Sequence, residues 1–170
     1  MEVIDADTHY RDGQFRTRYE VVVAAPLGAV RRLLNDYAHA DRLSPIVRSS
    51  EVLARFPDGG LRLRLVTRPC VLFFCKTLIK VQDIEPRRGD TVVSHVVDAG
   101  HFRSGVERWR TTAADGGTRI IYQAEVRPDF FVPPLIGPWL IESAVDRLLN
   151  QVAETVERRA GGIPDHSTRD

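Results

Sequence analysis

Cysteine is scarce in this chain: among 170 residues only Cys70 and Cys75 occur. On one straight strand their odd spacing turns the two side chains to opposite faces, which disfavours a local disulfide. A zinc site needs a close Cys or His pair repeated elsewhere, and no such repeat exists. The expectation is therefore two buried thiols packed as small hydrophobes, and no metal. Surplus charge is also missing. Net charge is +1 and the pI near 7.9, which leaves no electrostatic case for DNA binding. No run approaches the ~20 apolar residues of a membrane span. The opening "MEVIDADTHYRDG" is acidic and polar, unlike a secretory signal, so a cytoplasmic protein is expected. G-x-S-x-G, H-E-x-x-H, P-loop and dinucleotide motifs are all absent, and no cofactor is expected.

What is present suits one folded domain: 43% of residues are hydrophobic and 28% charged. Phe15 to Ala24 reads as a strand. "APLGAVRRLLNDY" then recurs at helical spacing through Val30, Leu33, Leu34 and Tyr37, with Pro26 suited to a first helical position. A short second helix covers "AHADRL" before Ser44-Pro45. The period then becomes two, predicting strands over Val47–Phe56, Leu61–Thr67, Val71–Ile84, Thr91–Val97, Phe102–Thr112 and Arg119–Arg127. The segments between are turn-like. A last helix runs from Pro138 to Ala160, with Ile141, Val145, Leu148, Leu149, Val152 and Val156 as its apolar stripe. Glu142, Asp146, Asn150, Glu154 and Glu157 are expected mostly on its opposite, wet side. The predicted class is α+β: a curved antiparallel sheet of about seven strands wrapped around a long C-terminal helix. Residues 14–160 form the domain, between flexible segments 1–13 and 161–170.

Alternation selects an inner face. A loop at "ADGG" sets Thr111 opposite Ile120, Trp109 opposite Tyr122, Glu107 opposite Ala124 and Gly105 opposite Val126. Folding back through "DAGH" sets Val96 beside Arg103 and Ser94 beside Gly105. Folding back again adds Ile79 and Val81, then Thr77, Cys75 and Phe73, with Lys76 and Lys80 outside. Gly105, Ser94 and Ala124 are small where a filled core wants bulk, and Glu107 sits among them. Two readings follow. Either this face lines a cavity whose polar features are Glu107 and Arg103, or the register slips by one and Glu107 meets solvent. The candidate lining is Leu63, Leu65, Phe73, Cys75, Thr77, Ser94, Val96, Arg103, Gly105, Glu107, Trp109, Tyr122, Ala124 and Val145. His101 near Asp98 reads as a local turn contact rather than a catalytic pair.

Several stretches resemble the START-like, or SRPBCC, superfamily, in the branch of polyketide cyclase/dehydrases and coenzyme Q-binding proteins. They are "VVVAAPLGAVRRLLNDYAHADRLSPIVRSSEVL", "FRSGVERWR" with Trp109, "GGTRIIYQAEV" and "PPLIGPWLI". The resemblance runs from Phe15 to Ala160 and implies a helix-grip fold. It implies that the loop before the last helix borders a cavity entrance, where Phe131, Leu135 and Trp139 would join the ligand-binding set, stiffened by Pro133, Pro134 and Pro138. Relatives commonly carry aromatics where this chain has Ala40 and Leu43, which implies a differently shaped mouth. The implied functions are three. One is a carrier or chaperone of a lipid, quinone or polyketide-like molecule, with transient membrane contact. Another is a cyclase or dehydratase using Glu107 as base, Arg103 against a developing enolate and Tyr122 as hydrogen-bond donor. The third is a respiratory-chain or ribosome partner using Arg62, Arg64, Lys76, Lys80, Arg108 and Arg110 as an outer basic face.

Overall fold

Two Asp-Gly dipeptides set the sheet. At Asp12-Gly13 both residues take positive φ, the twist that closes a two-residue hairpin. It joins β1 (Glu2–Arg11) to β2 (Gln14–Val23) with Arg11 opposite Gln14. Asp115-Gly116 likewise joins β9 (Phe102–Ala114) to β10 (Gly117–Pro128). In this computed structural model, which describes residues 1–71, 73–135 and 137–161, the remaining elements are α1 (Leu27–Leu34), a 3-10 turn (Tyr37–Arg42), β3 (Val47–Arg55), β4 (Leu61–Thr67), β5 (Cys70–Val71), β6 (Phe74–Cys75), β7 (Leu78–Ile84), β8 (Thr91–Val97) and α2 (Gly137–Gly161). Eight strands form one antiparallel sheet in the order β1-β2-β10-β9-β8-β7-β4-β3, and β5 and β6 form a separate ribbon. The expected α+β sheet with a long C-terminal helix is present, with one strand more than expected. Among the described residues no helix is long and apolar enough to cross a membrane.

The extra strand is β1, where a loose leader was expected. Its residues are mostly exposed, so hydrophobic periodicity carried no signal for it. What holds it is a row on α2. Thr8 Oγ1 donates to Asp146 Oδ1 at 2.9 Å, and the Tyr10 backbone N–H donates to Glu142 Oε1 at 2.8 Å. Tyr19 OH on β2 donates to Asn150 Oδ1 at 2.6 Å. Residues 142, 146 and 150 are one helical turn apart and share a face. That face grips the sheet rather than meeting water, which corrects the expected wet side. The expected tail lies outside the described residues, except Gly161, which ends α2.

Two apolar clusters stand at opposite sides of the sheet. One joins Tyr19, Val21, Val23, Ala29, Val30 and Ile120 to Leu149, Ala153, Val156 and Ala160 of α2. The other, smaller, is Leu61, Leu63, Ile84 and Val92, with Tyr37, Val52 and Leu65 against it. Strand β9 runs between them.

The predicted strand Val71–Ile84 is three pieces. Cys70 pairs with Cys75 across the β5–β6 ribbon, and the two form a disulfide. The opposite-face argument assumed a straight strand; in a folded-back hairpin, residues five apart face each other. Free buried thiols are therefore replaced by an exposed, clipped ribbon. Deleting residues 2–11 is expected to lower stability by about 3–6 kcal/mol, the scale of two hydrogen bonds to charged acceptors. Urea unfolding measures it, and an unchanged midpoint would restore the loose leader.

Candidate functional site

Register decides which side chains meet on the inner face. The pairs Thr111–Ile120, Trp109–Tyr122, Glu107–Ala124 and Gly105–Val126 all occur as expected. On the next strand Ser94 pairs with Glu107 and Val96 with Gly105. This is two residues from the expected pairing and on the same face. Strand β7 departs by three, an odd number that exchanges its two faces. Ile84 pairs with Ser94 and Gln82 with Val96, so Lys80, Gln82 and Ile84 face inward where Ile79 and Val81 were expected. The cause is the connection between β7 and β8. Arg88 and Thr91 bridge each other in a small turn of their own, which changes the parity of the count.

Lys80 is the polar residue of this face that alternation missed. Its Nζ donates to Glu107 Oε1 at 2.6 Å, and Tyr122 OH donates to the same oxygen at 3.2 Å. Glu107 is buried at 5% exposure; its carboxylate would lose several kcal/mol of hydration without these partners. Strand β8 lies between β7 and β9, and the residue of β7 level with Ser94 and Glu107 is Ile84, so the Lys80 side chain runs diagonally across β8 to the carboxylate. The small Ser94 lies directly opposite Glu107. Gly105 is small for another reason. A Cβ there would come within 2.8 Å of the Glu125 carbonyl oxygen, so close approach of β10 requires glycine.

The tyrosine is held neutral. Desolvation first, and then the Glu107 carboxylate, push the Tyr122 phenol well above its ordinary value. Tyr19, on the same sheet face under α2, is pushed to about 12 by desolvation and then by the charges of Glu154 and Asp146. The centre therefore offers an ammonium, a carboxylate and a neutral phenol within one hydrogen-bond network. That set can bind a hydroxyl or carbonyl group, pass a proton, or stabilise developing negative charge.

The space beneath α2 is small. Tyr19, Val21, Leu34, Trp109, Ile120, Leu149 and Val152 surround about 10 Å³, room for one water at most. A larger hollow of about 360 Å³ opens at the end of the face, lined by Tyr10, Gly13, Arg103, Arg127, Pro128, Asp129, Phe130 and Phe131. Tyr10 meets Phe15 there at 4.5 Å between ring centres. Phe15, Val126 and Gly105 lie in one register row, so the cleft adjoins the inner face. Glu107 is two residues, about 7 Å, further along β9.

The other expected site residues divide by place. Leu63, Ser94 and Ala124 are buried inward, and Leu65, Val96, Trp109 and Val145 half-buried. Arg103 is not part of the polar centre: it is exposed and bonds Asp129 at 2.6 Å beside the cleft. Phe73 (96% exposed), Cys75 and Thr77 leave the inner face with the β5–β6 ribbon. Phe131, Leu135 and Trp139 are exposed on the loop into α2 and the start of that helix, and Lys76 sits 4.8 Å over the Phe130 ring, joining the ribbon to that loop. His101 Nδ1 accepts from the Ile79 backbone N–H at 2.9 Å, a structural contact. The outer basic face is largely neutralised: Arg62 grips Asp83, Arg110 binds Asp90, and Lys80 has turned inward.

The family model for polyketide cyclase/dehydrase and lipid transport matches residues 14–160. The chain belongs to that family. Solved structures share its fold. A START superfamily protein from Mycobacterium smegmatis aligns with TM-score 0.68 and 17% identity, over 86% of this chain and 97% of that one. The Zhui aromatase/cyclase from Streptomyces sp. R1128 aligns with TM-score 0.68 and 18% identity, over 88% and 98%. A Thermus thermophilus protein, TTHA0849, gives 0.62 and 22%, over 83% and 96%. No curated protein matches the chain. Family and fold together support binding of a hydrophobic small molecule or polyketide cyclase-type chemistry.

The tyrosines give a pH prediction. Tyr19 ionises near 10 when unfolded and near 12 when folded, and Tyr122 shifts in the same direction. Above pH 10 the unfolded chain binds fewer protons, so this contribution is complete below pH 10 and is lost towards pH 12. The expected slope is at most about 1.4 kcal/mol per pH unit per tyrosine. Urea midpoints measured from pH 9 to 12 check it; Tyr19→Phe with Tyr122→Phe should flatten the curve.

Proposed function

We propose that this protein is a carrier or chaperone for a hydrophobic small molecule of lipid, quinone or polyketide type. The guest sits in the end cleft and extends along β9. Its polar group meets Lys80, Glu107 and Tyr122, and its apolar body lies against Tyr10, Phe130 and Phe131 in the cleft. The observation that carries this reading is the hollow of about 360 Å³, lined by Tyr10, Phe130 and Phe131 together with Arg103, Arg127 and Asp129, at the end of a face with a buried polar centre. That volume is within the roughly 300–1,000 Å³ of small-molecule sites. The exposed Phe73, Phe74, Phe131, Leu135 and Trp139 supply an apolar rim suited to brief contact with a membrane during loading.

A cyclase or dehydratase is the second reading, favoured by the composition of the centre. Glu107 takes the proton, Lys80 rather than Arg103 stabilises the enolate, and Tyr122 donates a hydrogen bond. The fold likeness to an aromatase/cyclase agrees with it without singling it out.

Native mass spectrometry of the purified protein, with titration of the neutral probe N-phenyl-1-naphthylamine, tests the carrier. The expected result is a co-purifying apolar molecule or saturable probe uptake, weakened at least tenfold by Phe131→Ala. Neither a molecule nor uptake would defeat it. If a polyketide-like substrate turns over, unchanged kcat in Glu107→Gln removes the catalytic role.

A further inference from the structure

A different polar cluster lies at the other end of β9. Thr111 is four residues beyond Glu107, about 13 Å along the strand. Arg31 of α1 donates to it twice, Nε to Oγ1 at 3.1 Å and Nη2 to the backbone oxygen at 2.8 Å. Asn35 lies one helical turn after Arg31, its backbone N–H bonded to the Arg31 carbonyl. Its side-chain oxygen accepts from Arg87 Nη2 at 3.3 Å and from Tyr37 OH at 3.3 Å. Arg87, from the β7–β8 connection, is thereby tied to the end of α1, close enough to feel the charge on Arg31. Both arginines are half-buried.

All of these acceptors are neutral. Among the described residues neither Arg31 nor Arg87 forms an ion pair, and Arg87 Nη1 is buried without a hydrogen-bond partner. The nearby carboxylate of Asp90 is committed to Arg110 at 2.8 Å and to Thr91 at 2.9 Å. Asp36, beside Asn35 in sequence, is paired with His39. The carbonyl end of α1 eases one cation; a second, desolvated beside it, raises the cost again. Burial, and then the charge on Arg31, lower the Arg87 guanidinium from its usual value, and the opposing pull of Tyr37 and of Asp90, itself held by Arg110, does not offset them. Arg32 and Arg88, next to them in sequence, are exposed and add positive field at the approach.

We propose that Arg31 and Arg87 form a second binding site, for an oxyanion, either a carboxylate or a phosphate, chelated between the two guanidiniums. A planar fork with a free, desolvated N–H suits two-pronged capture of such a group. The site stands apart from the Lys80–Glu107–Tyr122 centre, so it does not depend on the carrier reading. Two sources of the group are distinguishable. It is either a free small anion, or the acid head of a guest long enough to span the roughly 13 Å from Glu107.

The test uses the full chain in chloride buffer of matched ionic strength. Inorganic phosphate at tenfold its Kd should raise Tm by about 3–5 °C. Arg87→Gln should remove that response, and without phosphate should melt at or above the wild-type temperature because an unpaired buried cation has gone. If Arg87→Gln does not fold, Arg31→Gln decides by its loss of the phosphate response. Calorimetry with decanoate and decanol separates the sources. Decanoate binding at least tenfold tighter than decanol, with the preference lost in the variant, identifies an acid-headed guest. A phosphate response with equal decanoate and decanol affinities identifies a free anion. Neither phosphate nor decanoate acting on the wild type, or a variant that keeps the response, overturns the site. Failure of decanol and N-phenyl-1-naphthylamine to bind counts against the carrier alone.

Discussion

The inner face is organised by one buried carboxylate. Glu107 sits on the strand between the two apolar clusters, at 5% exposure, and exists there because Lys80 and Tyr122 both reach it. A charge in that position is tolerated only with its partners in place. The surrounding choices follow from this. Lys80 crosses from β7, and the small Ser94 and Ala124 stand opposite Glu107 on β8 and β10. A hydrophobic replacement of the network would pack as well and would cost less desolvation. A polar centre at that cost is in keeping with a role in binding or chemistry.

Around that centre the fold provides three different kinds of space. Beneath α2 the sheet and helix are nearly in full contact. At the Gly105 end a cleft opens beside Tyr10, Phe130 and Phe131, and at the Thr111 end the Arg31 guanidinium is bonded to the strand. A molecule entering at the cleft would meet a mixed wall first, the rings of Tyr10, Phe130 and Phe131 beside the charges of Arg103, Arg127 and Asp129, and the ionic centre next. Helix α2 is held to the edge of the sheet by its own polar row on β1 and β2. The cleft end of the face is thus left uncovered without loss of anchoring.

Much of this was legible in the sequence, and the exceptions have physical causes. The β9–β10 register could be read because Asp-Gly sits between two strongly alternating strands. The same dipeptide at Asp12-Gly13 announced the β1–β2 hairpin, but β1 is exposed on both sides of the alternation and its pattern was silent. In "LIKVQDI" both parities carry apolar residues, Leu78 and Ile84 on one side and Ile79 and Val81 on the other. Pattern alone favoured hiding the aliphatic pair over a lysine, and only the Glu107 carboxylate across the sheet reverses that choice. The helical wheel erred at Glu142, Asp146 and Asn150 because it assigned polar groups to water when backbone and hydroxyl donors of β1 and β2 were waiting for them. Cys70 and Cys75 were misread by treating a hairpin as a strand.

The strength of the Lys80–Glu107 link tests the account most directly. It is measured by a double-mutant cycle of Lys80→Met and Glu107→Gln in urea unfolding. A buried, coupled pair predicts that the two single losses together exceed the double-mutant loss by about 2 kcal/mol or more, since each single leaves a stranded partner. Losses that add to within about 0.5 kcal/mol would mean that Lys80 and Glu107 do not meet on the inner face, and the polar centre would go with them.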